Sequence, residues 1–87
     1  MNLYLISRQD RWGYDEYDSA VVACGSEDEA RGMHPAEGRV IREWGEGYGK
    51  SGYSWASCPE DVAVIFLGVA DEYLLERGVV CSSFNAG

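Results

Sequence analysis

The stretch from Val62 to Ala70 (VAVIFLGVA) runs nine residues without a charge and is bounded by Glu60-Asp61 on one side and Asp71-Glu72 on the other. It is far shorter than the roughly 20 apolar residues that a membrane-spanning helix needs. A run of this length, rich in Val, Ile and Phe, matches a buried strand. It is expected to be the central strand of a sheet, with Gly68 marking a bulge or a close backbone approach. The rest of the chain must supply its neighbours and its cover.

Asn2 to Ser7 (NLYLIS) alternates, so that Leu3, Leu5 and Ser7 face one side and Tyr4 and Ile6 the other, which predicts a first strand. Ser19 to Cys24 (SAVVAC), β-branched at its centre and closed by Gly25, predicts a second strand, and Gly78 to Phe84 (GVVCSSF) a closing one, followed by an Asn85-Ala86-Gly87 tail. Between the first two strands, Arg8 to Asp18 holds no sustained period and reads as an ordered loop packed by its aromatics. Ser26-Glu27-Asp28-Glu29 fits a capping box, in which the Ser26 hydroxyl takes the Glu29 N–H and the Glu29 carboxylate reaches back to the Ser26 N–H. The helix so started is expected over Glu27 to Met33, burying Ala30 and Met33 and ending because Pro35 disfavours helical geometry at His34. Ser57-Cys58-Pro59-Glu60 repeats the Ser-x-x-Glu pattern and predicts a single capped turn. Asp71 to Arg77 reads as one helical turn or a wide connection.

From Ala36 to Ser57 the chain carries five glycines, interleaved with Trp44, Tyr48, Tyr53 and Trp55. Glycine at that density weakens regular structure, which predicts a long loop pinned by aromatic anchors. The expected architecture is a single α+β domain over residues 1–87: about four strands in an antiparallel or mixed sheet, one short helix on one face, and the Gly-rich loop.

Charge narrows the function. Fifteen Asp and Glu against seven Lys and Arg give a formal net charge of −8. Direct nucleic-acid binding is not expected, because that affinity comes from neutralising phosphates with Lys and Arg. An acidic face made for a basic protein surface fits the charge, as does acidity that serves only solubility. The N-terminus lacks the basic-then-apolar layout of a signal peptide, and three cysteines, Cys24, Cys58 and Cys81, without C-x-x-C spacing suit a reducing compartment. The expectation is therefore a cytoplasmic protein with no membrane partner, no cofactor and no metal.

No catalytic constellation emerges. Gly45-Glu46-Gly47-Tyr48-Gly49-Lys50-Ser51 superficially resembles a phosphate-binding glycine loop, but the spacing is wrong, Gly52 follows Lys50 closely, and no helix is expected after it. A cysteine nucleophile needs a base, and the only histidine, His34, precedes Pro35 at a helix end. Paired carboxylates are abundant, yet adjacent acids on loops are normally solvated rather than separated in pKa inside a pocket. The chain is thus not expected to be an enzyme.

Trp12 to Asp18 is more informative, because it sets Trp12, Tyr14 and Tyr17 among Asp15, Glu16 and Asp18. Aromatics of this kind anchor interfaces, and surrounding acids steer toward Arg- and Lys-rich partners. The expected partner-binding set is Trp12, Tyr14, Asp15, Glu16, Tyr17 and Asp18, with Glu27, Asp28, Asp71 and Glu72. Reversing Asp15, Glu16 and Asp18 to Lys is expected to weaken binding and leave the fold intact. Regularly spaced carboxylates can also imitate the phosphates of duplex DNA, a mechanism that requires the acidic clusters to converge on one face.

The opening Met-Asn-Leu-Tyr-Leu-Ile-Ser, the block from Gly13 to Ala23, the Ala30-Arg31 to His34-Pro35 pair and the closing Cys81 to Gly87 together resemble a family of small, mostly uncharacterised phage and prophage proteins. No catalytic motif comes with that resemblance. It implies the company of small acidic phage inhibitors of the anti-CRISPR kind, several of which occupy basic surfaces of a surveillance complex. The expectation is a phage-encoded inhibitor that binds a host DNA-recognition protein, a CRISPR surveillance-complex subunit of a type I system, and blocks its DNA binding. The alternative is a small structural or regulatory phage protein whose acidity serves solubility.

Overall fold

The structure, a computed structural model, describes residues 1–10, 16–36, 38–70 and 76–85, of Asn85 the backbone alone. Its strands are β1 (Asn2–Arg8), β2 (Glu16–Cys24), β3 (Val62–Val69) and β4 (Gly78–Asn85), with one helix, α1 (Glu27–Arg31), and 3-10 turns at Ser51–Tyr53 and Pro59–Asp61. The sheet order is β3-β1-β2-β4 and every pairing is antiparallel. The fold is a small α+β domain.

The most apolar strand is not central. β3 lies at one edge, and the centre is held by β1 and β2, whose even-numbered side chains Tyr4, Ile6, Ala20, Val22 and Cys24 are buried against α1 and the loop that follows it. Hydrophobicity misleads here because β3 has no strand on its outer side: Ile65, Phe66, Leu67 and Val69 are all more than half exposed. Gly68 does mark a bulge. Leu3 opposes Gly68 and Tyr4 opposes Phe66, leaving Leu67 as the extra residue, and Gly68 takes φ +151, a conformation that suits glycine. Similar irregularities leave Asp18 unopposed on β2 and Val80 on β4.

Strand ends depart from expectation by one to three residues. Arg8 extends β1 and Glu16 to Asp18 extend β2, so that the connection between them is shorter than expected, and β4 continues through Asn85. The segment Asp71 to Arg77, expected to be a turn or connection, lies outside the described residues up to residue 75, as does the end of the tail.

The capping box forms with one change. Ser26 Oγ accepts from the Glu29 N–H at 3.2 Å, while Glu29 Oε1 accepts from the N–H of Gly25 rather than of Ser26, at 2.7 Å. The helix stops at Arg31 instead of Met33. The Gly32 N–H turns inward to the Ala30 and Glu29 carbonyls, and Met33 leaves the helix to pair with Val40 in an isolated bridge, which buries its side chain fully. In the second Ser-x-x-Glu segment the capping position belongs to Cys58, with no side-chain cap; its thiol donates to Asp61 Oδ2 at 3.1 Å. Ser57 does not cap.

Two of the four aromatics in the Gly-rich loop act as anchors. Trp55 is fully buried in the core and Trp44 packs against it, whereas Tyr48 is 88% exposed and Tyr53 62%. The loop is irregular but internally bonded, with Ser51 N–H to the Glu43 carbonyl at 2.8 Å and Gly52 N–H to the Gly45 carbonyl at 2.7 Å. Gly52 is required there, because any Cβ would run into that same Gly45 carbonyl. Gly38, at φ +71, lets the loop close onto β4, where its missing Cβ would lie 3.1 Å from the Gly78 Cα.

Candidate functional site

Of the expected partner-binding residues, Trp12, Tyr14, Asp15, Asp71 and Glu72 lie outside the described residues. The remaining five divide sharply. Glu16 is buried, its Oε1 3.4 Å from Nη1 of Arg8, whose side chain is 1% exposed and also holds Asp10 at 2.8 Å. Burial opposes the Arg8 charge, but the hydrogen bond and charge of Asp10 and the charge of Glu16 outweigh it and hold the guanidinium above its ordinary value. Glu16 is therefore part of an internal ion pair, and reversing it to Lys would place two buried cations together. The expectation that this reversal spares the fold is corrected.

Tyr17 is half-buried, its ring edge-on to His34 at 6.0 Å and to Phe84 at 4.8 Å, so it covers the core beside β4. Asp18, on its bulge, accepts from Ser19 Oγ at 2.9 Å. Glu27 and Asp28 are exposed in the first turn of α1.

The register places the described acids near the sheet in two groups, with Glu43 and Glu46 apart from both in the Gly-rich loop. Asp10, Glu16, Asp18, Glu60 and Asp61 gather at the end of the sheet where β1 and β4 finish and β2 and β3 begin. Glu27, Asp28 and Glu29 follow the far end of β2, and Glu76 stands beside Arg77, which holds Glu29 at 2.9 Å. An eight-residue strand separates the two groups by about 25 Å. The described carboxylates do not line up as one row of phosphate-like charges.

Two features went unnoticed in the sequence. One is the β3 edge. Ile65 stands across from Leu5 and Val21 across from Leu5's other side, with Cys81 beyond, and the next row is Ala63, Ser7, Ser19 and Ser83. Neither row contains a charge, and α1 lies on the opposite face. On that opposite face Phe66 reaches the Tyr4 ring edge-on at 5.7 Å. The other feature is charge segregation. Arg8 is internal, and Arg39, Arg42, Lys50 and Arg77 all line one groove. Among the described residues that leaves Arg31 alone as a cation elsewhere, 3.6 Å from Glu27. The signal for the groove was present in part, since Arg39, Arg42 and Lys50 are three of the seven cations within one Gly-rich segment; only the fold adds Arg77.

Among the described residues no cluster of three His, Cys, Asp or Glu side chains could hold a metal ion, and no helix is long and apolar enough to cross a membrane. Comparison with family models, curated proteins and solved structures gives no match for this chain.

Proposed function

We propose that this chain is a non-catalytic binding domain that docks on a basic, partly apolar surface of another protein, through the β3 edge and the carboxylates that bracket it. The carrying observation is the edge itself: Ile65, Phe66, Leu67 and Val69 stand more than half exposed on a strand that has no charge and no proline. Edge strands in soluble proteins are ordinarily blunted by charges, proline or cover, and an open apolar edge offers main-chain hydrogen bonds and side-chain pockets to an added strand. Glu60 and Asp61 stand at its start, and the sequence continues past its end with Asp71 and Glu72. Antiparallel pairing of β3 with a second copy would set these acids against one another, which is unfavourable. A partner segment flanked by Lys or Arg is complementary at both ends.

The finer reading is a phage-encoded, anti-CRISPR-type inhibitor of a host DNA-recognition protein of a type I system, blocked by occupation of its basic surface. Its support is the sequence resemblance together with the acidic surface outside the groove that Arg39, Arg42, Lys50 and Arg77 line. Capture of tagged chain from lysate containing type I complexes, at low and high salt and with plaque assays in parallel, tests both levels. Salt-sensitive capture of a DNA-recognition subunit, lost in Ile65→Lys and weakened in Glu60→Lys, is the expected result. Capture of a different basic protein would keep the binding domain and discard the CRISPR version. Capture indifferent to salt and to Ile65→Lys would discard both.

A further inference from the structure

The groove that collects the cations has a volume of about 670 Å³, within the range of small-molecule sites. Four of the chain's seven Lys and Arg line it, from three separate segments: Arg39 and Arg42 before the Gly-rich turn, Lys50 after it, and Arg77 just before β4. Among the described residues one carboxylate, Glu43, shares the lining. On a protein of net charge −8 this gathers cations on one concave surface; Lys50 and Arg77 already meet Glu43 and Glu29, and an anion placed among the four would add to that compensation.

We propose that this groove binds a nucleoside 5′-phosphate, with the phosphoryl group among Arg39, Arg42, Lys50 and Arg77 and the base against Tyr53. The state of the cations suits a phosphate. Arg42 has no hydrogen-bond or ion-pair partner among the described residues, so its planar fork is available for bidentate recognition. Lys50 is held by Glu43 at 3.1 Å in an exposed pair, of the weak kind that an incoming phosphate can displace. Arg77 is fixed in place by Glu29, which is itself anchored on the Gly25 N–H, so its charge is positioned at the groove.

The aromatic part rests on Tyr53, which lines the groove, is 62% exposed and meets the still more open Tyr48 edge-on at 5.2 Å. Exposed aromatics beside cations form a stacking surface for a base. Ser54 and His34 add polar lining: His34 Nδ1 accepts from the Ala36 N–H at 3.0 Å, which leaves the proton of the neutral ring on Nε2, 3.3 Å from Ser54 Oγ. The net charge selects a small ligand over a polymer. A strand would carry its phosphates beyond the four cations onto an acidic surface, whereas the charge of one nucleotide ends inside the groove.

Calorimetric titration of the full chain with AMP, ADP, inorganic phosphate and oligothymidylate tests this. The expected order is nucleotide above inorganic phosphate by roughly fivefold or more, the share that stacking supplies, with oligothymidylate weakest. Arg42→Ala, an exposed change, is expected to weaken nucleotide and phosphate alike by roughly tenfold, and Tyr53→Ala to reduce nucleotide affinity to that of phosphate while leaving phosphate unchanged, with circular dichroism of both variants as in the parent. Absence of binding by any ligand, equal affinity for phosphate and nucleotide, or affinity indifferent to Arg42→Ala would overturn the proposal. Tighter binding of oligothymidylate than of AMP would overturn it in favour of single-strand recognition.

Discussion

Arg77 Nη1 lies 2.9 Å from Glu29 Oε2, joining the start of β4 to the helix across 48 positions of sequence. The same carboxylate takes the Gly25 N–H through its other oxygen, at 2.7 Å. One side chain therefore closes the capping box, complements the positive end of α1 and fixes a groove cation.

That double engagement predicts a pH response. The Gly25 N–H first, and the Arg77 guanidinium second, hold the Glu29 carboxyl below its ordinary value. A depressed carboxyl contributes stability that is present above its unfolded value, about 4.3, and is lost as pH falls through its folded value. Glu29→Gln keeps an acceptor for Gly25 but removes the charge. Thermal unfolding followed from neutral pH downward is expected to show a shallower loss of Tm below about pH 4 in Glu29→Gln than in the parent, with the two curves parallel above it.

The Arg8 cluster predicts a larger effect. Arg8→Met would remove the guanidinium that faces the buried Glu16 carboxylate at 3.4 Å, and breaking a buried pair from one side costs about 3–5 kcal/mol. Asp10 is less affected, since it is one-fifth exposed and can be solvated. Urea unfolding should show that loss in Arg8→Met, and part of it restored when Glu16→Leu is added, because an apolar pair at these positions removes the buried carboxylate together with the guanidinium.

The elements that were legible in the sequence are those set by short-range patterns. The alternation of Leu3, Tyr4, Leu5 and Ile6 gave the faces of β1, Ser26 and Glu29 gave the start of α1, and Gly68 gave the bulge. Strand order was not legible, because it depends on which neighbour each strand pairs with, and β3 is apolar for a reason other than burial on both faces. The site was less legible still. Glu16 and Tyr17 look like surface anchors in sequence, yet the first is neutralised by Arg8 and the second is packed on Phe84, contacts that only the register creates. Arg77 reaches the groove by the same route.

The three cysteines should react in a fixed order. Cys81 is exposed on β4, Cys58 is partly exposed but its thiol is pushed up by the hydrogen bond to Asp61, which disfavours the thiolate, and Cys24 is fully buried with its thiol raised by desolvation. Alkylation by iodoacetamide at mildly alkaline pH, followed by mass spectrometry, is expected to modify Cys81 first, then Cys58, and Cys24 only on unfolding. Asp61→Asn should speed Cys58 alone.

Two isoleucines on adjacent strands separate folding from binding. Ile6 is completely buried at the centre of the sheet, and Ile65 is 53% exposed on the edge, on the face away from α1. Ile6→Ala is expected to cost about 2–5 kcal/mol through lost burial and the cavity it leaves. Ile65→Lys removes little buried area and adds an edge charge of the kind that protects soluble sheets, so its stability should stay within about 0.5 kcal/mol of the parent. Chemical unfolding checks both values. If Ile65 were held in the fold as tightly as Ile6, the two losses would match and the edge would have no claim as a docking surface; a stable Ile65→Lys that no longer captures the partner assigns the exposed apolar strand to binding.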